Sequence, residues 1–154
     1  MATIKALSGS GWLKDADDNF ASLSSLTGLH VTPFVFDTAE NDAGDTPASN
    51  KTVAAHPLAI TIPDNAIVIG GSIDVIEAVT SDGSATVAIN LVAANDLLTA
   101  TAKASLGIKA QKPLAAVIAQ PIKLEEEKAV TVTVGTAALT AGKINGYIIW
   151  MEGE

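Results

Sequence analysis

The sequence predicts an all-β fold: a jelly roll or β-sandwich of about eight strands with an N-terminal arm. Three observations lead there. Runs rich in Val, Ile and Thr recur at intervals of about ten residues, with turn residues between them. Ala129–Val134 alternates strictly, Val130, Val132 and Val134 on one face and Thr131 and Thr133 on the other, which is the period of a half-buried strand. Two β-branched runs, Ile67–Val79 and Ala85–Val92, flank Asp82-Gly83. Gly, and tolerably Asp, accept positive φ at low steric cost, so this arrangement predicts a central hairpin as the spine of the domain.

Taken in order, residues 1–29 form an arm of different composition and residues 30–154 form the β-sandwich domain. In the arm, Gly9-Ser10-Gly11 marks a bend, and Phe20, Leu23 and Leu26 recur at helical spacing within Asp15–Leu26. Trp12, Leu13 and Phe20 are the candidate contact residues of an arm that docks on a partner, because large exposed aromatics mark interfaces. The plainer alternative is an arm lying loosely on its own domain. His30–Asp37 reads as a strand. Pro33 within it cannot donate to a ladder, which places it at a sheet edge. Thr38–Asn50 is a polar loop carrying Glu40, Asp42 and Asp45. Lys51–Ala55 reads as a short strand and Leu58–Ile62 as another, ending at the turn signal Pro63-Asp64-Asn65.

Within the central hairpin, Gly70-Gly71 predicts a bulge or a close backbone approach. Ile73, Val75 and Val79 fall on one face of that strand, Ile76 and Ala78 on the other. A strand apolar on both faces suits the middle of a sandwich that also meets a neighbour. Ala93–Lys103 reads as a loop with one helical turn and Ala104–Ile108 as a short strand. Gln111–Gln120, flanked by Pro113 and Pro121, reads as a short strand or ordered loop, and Ile122–Leu124 as a strand. After Ala129–Val134 the chain turns through Leu139–Lys143. Ile144–Met151 then closes the fold, with Ile148 and Trp150 opposite Tyr147, Ile149 and Met151.

Composition narrows the function. Of 154 residues, 48% are hydrophobic but only 4% aromatic, which gives tight sheet packing and few platforms for stacking bases or sugars. The net charge is −8 and all nine basic residues are Lys, without a cluster. Nucleic acid and acidic membranes are therefore not expected partners. With no Cys, thiolate catalysis, disulfides and Cys-based zinc sites are excluded. No stretch reaches the ~20 apolar residues of a membrane-spanning helix. The start of the chain lacks a secretion signal pattern, so synthesis in the cytoplasm of the producing cell is expected.

Nor does any motif carry chemistry. Asp15-Ala16-Asp17-Asp18-Asn19 opens like a calcium loop, but Phe20 and Leu26 stand where the turn glycine and the bidentate glutamate are needed. The Glu40–Asp45 loop has irregular spacing and reads as hydrated. His30 and His56 lack zinc-binding spacing and read as surface or hydrogen-bonded structural residues. Glu125-Glu126-Glu127 cannot form a facing acid/base pair, since neighbours in an extended segment point apart. Glu77, inside an apolar strand, reads as an edge or interface carboxylate paired with a Lys. No catalytic residue, cofactor or metal site is expected.

One resemblance adds to this. His56-Pro57-Leu58 with Ile60–Ala66, Asp74–Ser81, Gly83–Ile89, Asn95-Asp96-Leu97-Leu98, Lys128–Val134 and Ala138–Lys143 occur in an order that resembles the capsid decoration, or cement, proteins of tailed bacteriophages. It covers about two thirds of the chain, and residues 1–50 contribute nothing to it. The resemblance implies a non-enzymatic virion protein bound to the major capsid protein on the capsid exterior. It also implies a homo-oligomer, a trimer before a dimer. Two other readings stay open: a phage tail/fibre or host-glycan-binding module, and a hydrolase joining His30 or His56 to Ser and Asp.

Overall fold

The computed structural model describes residues 28–43, 49–115 and 120–153. The chain divides into two units, Met1–His30 and Val31–Glu154. The predicted arm helix and the contact candidates Trp12, Leu13 and Phe20 lie outside the described residues.

Nine strands are present among the described residues: β1 Leu29–Asp37, β2 Ala55–Ile62, β3 Ala66–Thr80, β4 Thr86–Asn90, β5 Leu98–Ala102, β6 Gln111–Pro113, β7 Ile122–Lys123, β8 Lys128–Gly135 and β9 Ala141–Glu152. They form two sheets. Sheet one has the order β1-β9-β3-β6, with β7 also pairing β3. Sheet two has the order β2-β8-β4-β5. The predicted all-β sandwich is what forms. β1 is an edge strand, as Pro33 requires, and β2, which contains Pro57, is the edge of the other sheet.

The central hairpin does not form. β3 pairs antiparallel with β9, from Ala66 opposite Glu152 to Thr80 opposite Ala141. β4 instead pairs with β8 and β5 in the other sheet. Asp82-Gly83 is therefore a corner between sheets. Ser81 holds it: the Ser81 hydroxyl donates to the Ala138 carbonyl at 2.6 Å and accepts from the Gly83 N–H at 3.1 Å. A Cβ on Gly83 would lie 2.6 Å from the Ala137 Cβ, so glycine is needed there for close approach.

Three further expectations are corrected. Lys51–Ala55 is a turn up to the start of β2, with the Thr52 N–H donating to the Ser49 carbonyl at 2.9 Å. The Ala93–Lys103 stretch contains β5 instead of a helical turn. Ala104–Ile108 is not a strand; a 3-10 turn, Lys103–Ser105, closes through the Leu106 N–H to the Lys103 carbonyl at 2.9 Å.

Between the sheets lies one apolar core. Phe34, Phe36, Ile73, Val75, Ile144 and Ile148 face Ile62, Val87, Ile89, Val130, Val132 and Val134. Leu97, Leu106, Leu114 and Leu124 come in from connections and are almost fully buried. Each such side chain contributes about 1.5–3 kcal/mol through burial. The Phe34 ring lies directly on Gly146, its nearest atom 2.3 Å from where a Cβ would stand.

Candidate functional site

Three places gather polar side chains among the described residues. The most enclosed surrounds His56. β2 turns this side chain inward, and it is fully buried, its ring centroid 6.2 Å from that of Phe36 on the opposite sheet. Its Nδ1 lies 3.2 Å from the Asp42 carboxylate and its Nε2 lies 2.9 Å from the Thr52 carbonyl. Both partners are acceptors, so both ring nitrogens must donate for both contacts to be hydrogen bonds.

The group ties down the connection that carries the chain from sheet one to sheet two. Backbone bonds do the same nearby: the Ala43 N–H donates to the Pro57 carbonyl at 2.9 Å and the Leu139 N–H to the Lys51 carbonyl at 2.8 Å. With both nitrogens engaged and no exposed surface, His56 is a structural histidine and has no face for a substrate. His30 lies on β1.

A second group sits where β1 ends. Lys143 of β9 donates to the Asp37 carboxylate at 2.9 Å, and the Ala39 N–H donates to the other oxygen at 2.8 Å. The Lys143 ammonium, then the Ala39 N–H, hold the Asp37 carboxyl below its ordinary range, and Asp37 in turn raises the Lys143 ammonium. A depressed carboxyl adds stability above its unfolded-state pKa and loses it as pH falls through the folded value. Asp37→Asn is therefore expected to destabilise at neutral pH. That deficit should vanish between about pH 5 and pH 2, as read from paired thermal melts. A deficit that stays constant across that range would refute the assignment.

The third is a loop at the end of β4. The Asp96 carboxylate accepts the backbone N–H groups of Leu91, Val92 and Ala93 at 2.7–2.9 Å. The Asn90 and Asn95 side chains accept those of Asn95 and Ala100. All of these oxygens serve the backbone, which explains Asn95-Asp96 as loop architecture.

Two surface depressions stand out among the described residues. One of 240 Å³ is lined by Ser72, Asp74, Gln111, Asn145 and Tyr147 with neighbouring backbone, and one of 310 Å³ by Pro63, Asp64, Asn65, Trp150 and Glu152. Neither contains a histidine, and no nucleophile–base pair converges in either. Among the described residues, no three His, Asp or Glu side chains are grouped to hold a metal ion. Glu77 is exposed and sits opposite Lys143 in the β3–β9 register. Glu126 is bonded by Lys128, which lowers its carboxyl below the ordinary range.

Sequence reasoning missed the Asp42 partner of His56, fourteen residues away across an irregular connection. The outer face of sheet one, where Val31, Val35, Ile76 and Tyr147 are between 43% and 60% exposed, was signalled by the apolar residues on both sides of β3 and β9.

No protein-family model matches the chain, and no curated protein matches it. Solved structures do. The chain resembles one in the acidic stable capsid structure of Helicobacter pylori bacteriophage KHP30, with TM-score 0.56 and 14% identity over 82% of this chain and 89% of that one. It resembles one in the capsid asymmetric unit of cyanophage Pam1, with TM-score 0.59 and 15% identity over 80% and 84%. A third lies in the capsid of Ralstonia phage GP4, with TM-score 0.54 and 18% identity over 81% and 86%. These likenesses establish a shared fold.

Proposed function

We propose that this chain is a non-enzymatic virion structural protein that binds the outer surface of a phage capsid and stabilises it as an oligomeric cement or decoration protein. The observation that carries the proposal is the fold itself: three phage capsid structures contain a chain of this fold, matched over at least four fifths of each chain. The polar groups agree with it, since His56, Asp37 and Asp96 are each spent on holding backbone or neighbouring strands. The chemistry is adhesive. A protein that binds only the expanded shell stabilises that state by mass action, by about 2.7 kcal/mol per site at a hundredfold excess over Kd. Multiple linked copies add avidity. The arm residues Trp12, Leu13 and Phe20 are proposed to contribute to the capsid contact.

Purified protein added to expanded capsids that lack it is expected to co-sediment with them and to raise their melting temperature. Capsids that neither retain the protein nor melt later would overturn the proposal. Specific binding on a glycan array in that case would move the reading to a host-glycan module.

A further inference from the structure

We propose that the polar depression on the outer face of sheet one binds one ring of a neutral sugar. Register builds the site. Ile73 and Val75 point into the core, so Asp74 between them points outward. Asp74 lies opposite Asn145 of β9 on one side and Gln111 of β6 on the other. A carboxylate and two amides thus form a row across three strands about 4.8 Å apart. Tyr147 stands two residues beyond Asn145 on the same face of β9, opposite Ser72, about 7 Å along the strand. Together with Ile73 and Gly146 these residues line the 240 Å³ depression.

What marks this place is that most of its polar groups hold nothing else. His56, Asp37 and Asp96 each bond backbone or a neighbouring strand. Ser72 does too, donating to the Lys112 carbonyl at 3.1 Å. The side chains of Asp74, Gln111, Asn145 and Tyr147 make no hydrogen bond or ion pair with any described residue. Asp74 is half-buried, and a carboxylate drawn out of water ordinarily has a donor; here the donor comes from outside the fold. Tyr147 is the chain's one tyrosine and is 43% exposed, whereas Phe34 and Phe36 lie in the core and the Trp150 indole is tied to the Thr32 hydroxyl at 2.8 Å.

The chemistry of the lining selects the ligand class. A carboxylate only accepts, an amide both donates and accepts, and a phenol adds a flat aromatic face. A sugar ring meets all three: its hydroxyls donate to the carboxylate and accept from the amides, and its C–H face lies on the aromatic ring. Anionic groups are disfavoured, since none of the lining residues is basic and Asp74 repels them. A lysine or arginine side chain would use Asp74 but turn the N–H groups of both amides toward a cation. The volume of 240 Å³ is below the ~300–1,000 Å³ of a drug-sized pocket, so the site takes one ring and leaves the rest of an oligosaccharide in water. So small a contact gives a Kd of about 1 mM. The inference goes beyond the capsid role and does not depend on it, since the whole site lies within one chain.

The test is a titration of the isotope-labelled full chain with the methyl glycosides of glucose, galactose, mannose, fucose and N-acetylglucosamine, each to about 50 mM, followed by amide chemical shifts. At least one glycoside is expected to move the amides of residues 72–74, 111 and 145–147 with a Kd of about 0.1–10 mM. Glucuronate should move none of them. Tyr147→Ala and Asp74→Ala, with folding checked by thermal melts, are each expected to weaken binding about tenfold or more. Thr131→Ala, in the other sheet, should bind as the parent does. Silence with every glycoside, shifts confined to other residues, or full binding by a folded Tyr147→Ala or Asp74→Ala variant would each overturn the proposal. So would tighter binding of N-acetyl-lysine amide than of any glycoside, which would move the site to a basic peptide. Because the free protein is titrated, failure here leaves the capsid reading standing, and capsids that reject the protein leave this one standing.

Discussion

Gly71→Ala is expected to leave most of the chain unfolded or insoluble. Gly71 has φ +154° and lies in β3 just after a register shift against β9, where Val68 faces Trp150 but Gly70 faces Ile149. A Cβ there would stand 2.4 Å from the Tyr147 carbonyl oxygen and 2.6 Å from Leu114 Cδ1. The carbonyl belongs to the paired strand and cannot swing aside as a side chain would. The variant must either break the β3–β9 ladder or push Leu114 out of the core, where it is 2% exposed. The positive φ adds about 1–3 kcal/mol for a residue with a side chain, and overpacking costs about 1–3 kcal/mol or more. Against a typical net stability of about 5–15 kcal/mol, a loss of about 2–6 kcal/mol or more removes much of the margin. Gly107→Ala is the control: nothing lies within 4 Å of its Cβ position, so its melt should match the parent within about 0.5 kcal/mol. Expression, solubility and a thermal melt measure both. A Gly71→Ala protein melting like the Gly107→Ala control would show that the bulge is not a fixed feature.

That glycine pair was legible in the sequence because a Gly-Gly inside a β-branched run has few other uses. The same holds for β8, whose alternation of Val with Thr is a direct print of one face buried and one wet, and for β1, which Pro33 confines to an edge. What local sequence could not carry was the assignment of strands to sheets. A β-branched run, Asp-Gly and a second such run describe a hairpin and an inter-sheet corner equally well, since both sheets of a sandwich turn apolar residues inward. The choice is made at long range: β9, twelve residues long, matches the fifteen of β3 and takes its pairing, leaving β4 for β8. β5 was hidden for a different reason. Its Thr and Ala residues are mostly exposed on a sheet edge, so no apolar period announces it. The functional residues divide the same way. The apolar outer face of β9 was readable as Tyr147, Ile149 and Met151 opposite Ile148 and Trp150, whereas the partner of His56 lies across an irregular loop that no spacing rule reaches.

The burial of His56 leads to the second large effect. His56→Ala is expected to lower the melting temperature by roughly 10–15 °C. The substitution removes the donors facing the Asp42 carboxylate, 3.2 Å away, and the Thr52 carbonyl, 2.9 Å away, and Asp42 is itself only 6% exposed. Leaving a buried acceptor without its hydrogen-bond partner costs about 1–3 kcal/mol, more for a carboxylate, so two such groups together cost about 3–5 kcal/mol, and for a chain of this size each kcal/mol is worth about 2–4 °C. A void beside Phe36 adds to the cost. His56→Gln separates the two contributions. Its amide refills much of the volume, but its two N–H groups leave from one nitrogen whereas the contacts of His56 leave from two separate ring atoms, so it should recover part of the loss. The damage should also be local in origin, because His56 anchors the connection between β1 and β2 and not the β3–β9 ladder. Hydrogen exchange in residues 38–43 and 49–54 should accelerate more than in β9. If both variants melt within about 2 °C of the parent, the His56 ring is filling space and the hydrogen bonds at its two nitrogens contribute little. If exchange rises equally everywhere, the latch is part of the global core and does not hold the crossover in particular.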